Sequence, residues 1–248
     1  MALFQNDEAK IAQVIQLHHK AVGERYSPVM TVLIGSQNYG LATPKSDYDT
    51  FTFVLPTLQS IATLAEPVST KIEDEYGHIN IKDIRLGLKL LRKTSPNSVE
   101  CFSSKYRYIE PEFESYINMI TPIMLRCDTH HMMTAIGGLA HQLIKRNMPA
   151  GKRFSHILRM ECMVPNYFNI HSDILSMPNP TRQLAMEARL DPDNPIWDTE
   201  CERHEARVQE LIASSNVHQF DDTADFANKS IIDLAERFVN YVVGKVTL

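Results

Sequence analysis

The hydrophobic positions follow two different periods along the chain. In the first half, the pattern predicts a helix over residues 7–24, followed by short strands over 29–34, 51–55 and 78–82. The last of these strands alternates apolar and polar positions, which is typical of a strand with one buried face. A helical spacing returns over 83–93. This half is therefore predicted to form a small sheet flanked by helices.

Beyond residue 112, the helical spacing continues almost to the end of the chain. The helical segments that it predicts are 112–127, 129–147, 151–163, 180–190, 197–214 and 224–243. Prolines, which lack the backbone donor of a helical hydrogen bond, are predicted to mark breaks between some of these segments: Pro165, Pro178, Pro180, Pro192 and Pro195. The sequence thus predicts an α/β (α+β) protein, with a small mixed-sheet domain over 1–112 followed by a helical domain over 113–248.

Composition narrows the class of protein without naming a partner. With 44% hydrophobic and 22% charged residues among 248, the chain is typical of a folded globular protein and not of a disordered one. The formal charge of -5 means that nucleic-acid binding would need a local basic patch. The four cysteines are far apart in sequence and no apolar run is long enough to span a bilayer. We therefore expect reduced thiols, a cytoplasmic location and no membrane partner.

The segment 35–49 carries the strongest chemical signal. A predicted strand ends at Gly35 and Ser36, and Asp47 and Asp49 come where the next strand opens. Alternation places the two carboxylates on one side, with their Cα atoms about 6–7 Å apart at a rise of ~3.3 Å per residue. Paired carboxylates suit Mg²⁺, which prefers oxygen ligands and takes others from water and phosphates. Gly35 would allow a phosphate to approach the backbone, and the Ser36 hydroxyl could donate to it.

The same residues have a simpler interpretation. Asp and Ser commonly bond their own backbone in turns, so an Asp-x-Asp pair alone is more often a turn than a site. Here the pair follows a Gly-Ser dipeptide, and predicted strands flank both. The combination favours a two-metal phosphoryl-transfer site over a turn.

These residues also carry a resemblance. The run from Ile34 to Asp49, with its Tyr39–Thr43 and Ser46–Asp49 portions, resembles the signature of the DNA polymerase beta-like nucleotidyltransferase superfamily, and most closely the predicted nucleotidyltransferases associated with RNA repair. Other stretches are similar to the same branch: Asp83–Arg85, Ser95–Asn97, Val99–Glu100, the helix with Lys152, His156 and Arg159, and the segment Arg182–Arg189. The resemblance spans about residues 30 to 190.

The resemblance implies a reaction and assigns roles. A nucleoside triphosphate, most simply ATP, would be bound by Gly35, Ser36 and Tyr39, and Mg²⁺ or Mn²⁺ by the catalytic carboxylates Asp47 and Asp49. A nucleotidyl group would then pass to an acceptor, which is an RNA end, a second nucleotide, a small molecule or a protein side chain. The sequence does not indicate the oligomeric state.

One feature of the superfamily is not matched. A third carboxylate usually lies on a neighbouring strand, but the polar positions of the predicted strand hold no acid: His78, Asn80 and Lys82. Histidine is the side chain best suited to proton transfer near neutral pH, so His78 is a candidate catalytic base. Alternatively, an upstream acid supplies the third group: Glu73, Asp74 or Glu75. A protein that binds a nucleotide or a partner with impaired catalysis, or a helical interaction protein, is also compatible with the sequence.

A basic helix is the second chemical feature. No carboxylate occurs between Asp128 and Glu161, whereas Lys152, His156 and Arg159 share one face of a predicted helix. The opposite face is apolar, so the basic face is expected to be open to anions. As in the resembling family, these three residues would bind the triphosphate, with arginine gripping phosphate through two donors. An ordinary solvated helix face is the alternative.

Overall fold

The computed structural model of the chain describes residues 7–244. Its contacts group these residues into two compact units that are discontinuous in sequence. We call them the sheet unit (7–35, 47–128 and 220–244) and the helical unit (36–46 and 129–219). The sequence pattern instead predicts successive domains over 1–112 and 113–248. Contacts do not test which segments fold separately, so that boundary stays a prediction.

The sheet unit contains a five-stranded mixed sheet with the strand order β3-β4-β2-β1-β5. The strands are β1 (Ser27–Leu33), β2 (Thr50–Leu55), β3 (Ser69–Glu73), β4 (His78–Asp83) and β5 (Arg107–Ile109). The helices are α1 (Glu8–Gly23), α2 (Leu58–Ala62), α3 (Ile84–Arg92), α4 (Pro96–Ser103), α5 (Pro111–Met124) and α10 (Asp221–Gly244). The predicted α/β class and the strands β1, β2 and β4 are confirmed.

Strand pairing fixes which strand ends meet. β1 runs antiparallel to β2 with Leu33 opposite Thr50, and β2 runs parallel to β4 with Thr50 opposite Ile79. β3 runs antiparallel to β4 with Glu73 opposite His78. The C-terminal ends of β1 and β3 therefore lie at the same edge of the sheet as the N-terminal ends of β2 and β4. We call this the β2 edge.

Helix α1 forms as its sequence predicts. The side chain of Asp7 accepts a hydrogen bond from the Lys10 N–H at 2.9 Å, which satisfies one of the unpaired donors at the helix start. Ile11, Val14 and Ile15 recur at the three-and-four spacing and are buried. This apolar face packs on the sheet, where it contributes to the core of the unit.

The two adjacent histidines of α1, His18 and His19, are buried in the core of the sheet unit. His18 Nδ1 lies 2.8 Å from the Thr50 hydroxyl, and His19 Nδ1 lies 2.9 Å from the Thr31 hydroxyl. His19 Nε2 lies 2.8 Å from a carboxylate oxygen of Glu110. Each ring therefore satisfies its buried polar atoms against the strands, as buried groups must.

The helices of the helical unit pack around α7 (Ala150–Phe168). The other helices of this unit are α6 (Thr129–Lys145), α8 (Asn179–Leu190) and α9 (Ile196–Ala213). The start of α7 approaches the end of α8 closely, because a Cβ on Gly151 would lie 1.9 Å from the Ala188 carbonyl oxygen. The predicted break at Pro165 is wrong, since α7 continues through that residue to Phe168. Pro165 lies in the last turn of α7, which ends soon after it, at Phe168.

The cysteines carry no cross-link. All four are unpaired thiols, and three of them are buried. Burial raises the pKa of Cys127 to about 12 and that of Cys201 to about 11, so these thiols stay protonated at neutral pH. They are packing residues. Within residues 7–244, no helix is both long and apolar enough to cross a membrane.

Candidate active site

Asp47 and Asp49 come immediately before β2, as predicted. The carbonyl oxygen of Asp49 accepts a hydrogen bond from the Ile34 N–H at 3.0 Å, which extends the pairing of β1 with β2 by one step. Asp49 is therefore fixed to the sheet, whereas Asp47 is exposed and forms no hydrogen bond or ion pair with the described residues. One carboxylate of the pair is thus anchored and the other is accessible to solvent.

The structure brings Asp49 together with His78. Because β2 and β4 are parallel neighbours, Asp49 lies beside the start of β4, and its Oδ1 accepts a hydrogen bond from the His78 N–H at 3.2 Å. Its Oδ2 has no hydrogen-bond partner in the described part of the chain. A carboxylate oxygen without a hydrogen-bond partner is a suitable ligand for a hard cation.

The acids of the segment 73–75 have three different environments. Asp74 is bonded to its own hairpin and to α1. Its Oδ1 accepts a hydrogen bond from the Tyr76 N–H at 2.8 Å, and its Oδ2 lies 3.1 Å from Nε2 of His18 in α1. The neighbouring charge of Glu75 raises the pKa of the Tyr76 hydroxyl. Glu73, which faces His78 across the β3–β4 pair, places Oε2 3.6 Å from His78 Nδ1. Glu73 is therefore the acid of this segment that reaches the β2 edge.

The donor set fits a magnesium ion that takes most of its ligands from elsewhere. Among the described residues, no group of three or more His, Cys, Asp or Glu side chains is arranged to hold a metal. Asp47 and Asp49 supply two carboxylates, and nucleotide-bound Mg²⁺ commonly uses only one or two carboxylates with phosphates and water. Protein ligands alone would not form a closed metal site here.

Gly35 differs from its predicted role in one respect. Its φ of +78° lies in the left-handed region that favours glycine, and a Cβ there would meet no atom within 4 Å. Space is therefore available for a close approach. However, the Gly35 N–H donates to Oε1 of the buried Glu100 at 2.8 Å. Glu100 was noted in the sequence only through family resemblance, and its contact with Gly35 is set by tertiary packing.

In the helical unit, the residues after Gly35 form a tight turn. Gly35–Tyr39 is a 3₁₀ helix, and the Leu41 N–H closes the turn on the Ser36 carbonyl at 2.9 Å. The Ser36 hydroxyl forms no hydrogen bond within the described residues. Tyr39 is buried, and its ring centroid lies 3.7 Å from the guanidinium carbon of Arg159. The two side chains that the family resemblance assigns to nucleotide binding, Tyr39 and Arg159, therefore stack on one another.

The basic face of α7 is less open than the sequence predicts. Lys152 is exposed, but His156 is partly buried and Arg159 is only 7% exposed, because it packs on Tyr39. Arg159 Nη1 lies 3.1 Å from His156 Nδ1. Burial and the nearby charges of Arg159 and of other basic residues lower the pKa of His156 to about 3, so its ring is neutral at physiological pH. The sequence predicts that Lys152, His156 and Arg159 share one helix face, but it does not predict the burial of His156 and Arg159.

Two arginines of α8, which the sequence indicates only through the family resemblance of the segment Arg182–Arg189, lie on the same turn segment. Arg189 Nη2 lies 3.5 Å from the Ser46 hydroxyl, and the Arg182 side chain passes 3.5 Å from the position that a Cβ on Gly40 would take. These residues are far from the segment 36–46 in sequence. Their contacts with it are therefore set by tertiary packing, although their seven-residue spacing places both arginines on one helix face.

Comparison with known protein families finds a match over much of the chain. No curated protein matches the chain. A family model does match, over residues 9–171, which cover the sheet edge with Asp47, Asp49 and His78 and most of α7. Since the match covers more than half of the 248 residues, the chain belongs to the RNA repair pathway DNA polymerase beta family.

Proposed function

We propose that the protein is a nucleotidyltransferase that depends on a divalent cation and transfers a nucleoside monophosphate from a triphosphate to an acceptor. The observation that supports it most is the placement of Asp49 beside His78 at the β2 edge, with Asp47 two residues before it, in a chain of a polymerase beta family. ATP is the proposed donor and Mg²⁺, or Mn²⁺, the proposed ion. The cytoplasmic location expected from the unpaired thiols belongs to the same proposal.

The proposed reaction is an in-line displacement. The oxygen of an acceptor hydroxyl attacks the α-phosphorus and forms a new bond to it. The bond from that phosphorus to the oxygen that bridges to the β-phosphate breaks, and pyrophosphate leaves with the electron pair. The cation bound by Asp47 and Asp49 would supply positive charge against the phosphate oxygens.

His78 is the proposed acceptor of the hydroxyl proton. Its ring faces Glu73, whose Oε2 lies 3.6 Å from Nδ1, so that Glu73 would stabilise the charged imidazolium that results. The two alternatives that the sequence leaves open, a histidine base and an upstream acid, would then act together. Asp74 takes no part in this proposal because it is bonded to its own hairpin.

An RNA end is the first acceptor to test, because the family description names an RNA repair pathway. The net charge of -5 argues against a long duplex, since each phosphate contact requires a lysine or arginine. A second nucleotide, a small molecule and a protein side chain are further arms of the same test.

The test is incubation with each α-labelled nucleoside triphosphate and Mg²⁺ or Mn²⁺, with and without cellular RNA, followed by mass analysis. We expect labelled product with the native chain and none with Asp47→Asn combined with Asp49→Asn. Glu66→Gln, which removes an exposed acid outside the site, is the matched control and should retain transfer. Full transfer by the double variant would reject the proposal.

A second candidate function is supported by a separate observation. The less buried positions of β4 hold His78, Asn80 and Lys82, none of them an acid, as would be expected of a protein that binds nucleotide without transferring it. That protein would show a rise in melting temperature with ATP and Mg²⁺. It would form no labelled product with any acceptor, which separates it from the enzyme.

A further inference from the structure

Three arginines of the helical unit converge on one short segment. We call them the arginine cluster: Arg159 of α7, and Arg182 and Arg189 of α8. Arg159 stacks on Tyr39, Arg182 passes beside Gly40, and Arg189 approaches Ser46. Because Arg182 and Arg189 are seven residues apart, they lie on the same face of α8, two turns from each other. The cluster and its segment lie entirely within one compact unit.

The charges of Arg182 and Arg189 have no acidic partner among the described residues. Arg182 donates to the side-chain oxygen of Asn179, and Arg189 lies 3.5 Å from the Ser46 hydroxyl, which are both neutral groups. The Nε atoms of both arginines are buried and have no hydrogen-bond partner in the part of the chain that the structure describes. Partial burial of a guanidinium without a counter-ion is unfavourable, so this arrangement favours an anion from solution.

The surroundings strengthen the positive potential. Burial and the charge of Arg159 lower the pKa of Arg189, which indicates that the two guanidinium groups are close enough to repel one another. Lys152 and Arg146 add further positive charge around His156. An anion bound here would relieve repulsion that the protein otherwise bears. Such a site binds most strongly when its ligand carries several charges.

We propose that the arginine cluster is a polyphosphate-binding site that holds a chain of two or more phosphates without a divalent cation. Each guanidinium can grip phosphate oxygens through two parallel donors, and three such groups match a chain better than one phosphate. The inference rests on the proposed function in taking phosphate as the anion, but binding is measured without transfer. Two sources share this chemistry, the tail of a nucleoside triphosphate and the 5′-triphosphate end of an RNA.

The experiment is calorimetric titration of the full chain with sodium tripolyphosphate in EDTA. We expect saturable binding, at least tenfold tighter than that of inorganic phosphate. The variant Arg182→Gln with Arg189→Gln should weaken tripolyphosphate binding at least tenfold. Arg203→Gln with Arg207→Gln, which removes two exposed arginines of the same unit that pair with acids, is the matched control and should bind normally.

A folding defect is separated from loss of the site by two readouts. The glutamine double variant should melt, without ligand, no lower than the native chain, because it removes unbalanced positive charge. Arg182→Lys with Arg189→Lys keeps the charge but loses the two-donor grip, and should bind with intermediate affinity. Binding that persists unchanged in the glutamine variant, or no binding by the native chain, overturns the proposal.

Further arms identify the source of the phosphates and separate this site from the catalytic proposal. Displacement of tripolyphosphate by ATP assigns the site to the donor, and displacement only by a 5′-triphosphorylated RNA assigns it to the acceptor. Displacement by neither overturns its assignment to a substrate. Asp47→Asn with Asp49→Asn should bind tripolyphosphate normally in EDTA. Failure of transfer and failure of the arginine cluster would therefore be observed independently.

Discussion

Replacement of Glu100 by alanine removes the carboxylate that holds the Gly35 amide. The Gly35 N–H donates to Glu100 Oε1 at 2.8 Å, and Glu100 is only 8% exposed. A hydrogen bond to a charged group contributes about 1.5–3 kcal/mol, and leaving the partly buried Gly35 amide without an acceptor adds a desolvation cost. We therefore expect Glu100→Ala to lower the free energy of unfolding by about 2–3 kcal/mol.

Glu100→Gln separates the charge from the hydrogen bond. Glutamine retains a side-chain oxygen that can accept from Gly35, and a bond between neutral groups contributes about 0.5–1.5 kcal/mol. The expected loss is therefore about 1 kcal/mol, smaller than that of the alanine variant. Since about 1 kcal/mol shifts the melting temperature of a protein of this size by about 2–4 °C, the two variants are distinguishable.

The assay combines thermal unfolding with amide hydrogen exchange of the peptide that contains Gly35. Exchange at this amide should be faster in Glu100→Ala than in the native chain, and intermediate in Glu100→Gln. Glu66→Ala, at an exposed position, is the control and should change stability by no more than about 0.5 kcal/mol. If Glu100→Ala is no less stable than this control, the Glu100–Gly35 hydrogen bond does not hold the turn.

Three further predictions concern other parts of the chain. The pKa of His156 is lowered to about 3 in the folded chain, against 6.5 when unfolded, so the unfolded chain binds the proton more readily. The free energy of unfolding should therefore fall by up to about 1.4 kcal/mol per pH unit below pH 6.5. Urea unfolding at pH 7 and pH 5 should show a smaller pH dependence in His156→Gln than in the native chain. Gly40→Ala should lower the free energy of unfolding by about 1–2 kcal/mol, because the φ of Gly40 is +66°. Gly138→Ala, at a helical position where a Cβ meets no other atom, should raise it by about 0.5–1 kcal/mol. Equal effects of the two substitutions in calorimetry would contradict the backbone argument. Asp83→Ala removes the N-cap of α3 and the two hydrogen bonds that Asp83 accepts from the Arg85 side chain, at 3.0 and 2.7 Å. It should lower the free energy of unfolding by about 2–3 kcal/mol. A loss near zero would show that neither contact stabilises the helix.

Local patterns were sufficient for the long elements of the sheet unit. The strand β4 alternates buried Ile79 and Ile81 with less buried neighbours, and α3 begins after the predicted cap at Asp83. The short strands β3 and β5 were missed. β3 is mostly exposed, so it has no apolar alternation, and it is a strand because β4 offers it hydrogen bonds. Pairing of that kind is tertiary and leaves little trace in a single sequence.

The candidate site was predictable where its residues are neighbours in sequence. Asp47 and Asp49 form a local pattern, and so do Lys152, His156 and Arg159, which recur on one helix. The contact of Glu100 with Gly35 was not predictable, because it joins residues 65 positions apart through packing. The burial of Arg159 was missed for the same reason, since the stacking ring of Tyr39 comes from a distant segment.

The strand order limits which acid can join Asp47 and Asp49 at the β2 edge. The sheet brings five strand ends there, the C-terminal ends of β1 and β3 and the N-terminal ends of β2, β4 and β5. β1 ends in apolar residues, β4 begins with His78 and β5 begins with Arg107, so among the residues described the acid that a strand end places at this edge is Glu73, at the end of β3. If transfer survives Glu73→Gln but not His78→Ala, the histidine acts alone. If both variants are inactive while Asp74→Asn is active, the pair replaces the third carboxylate.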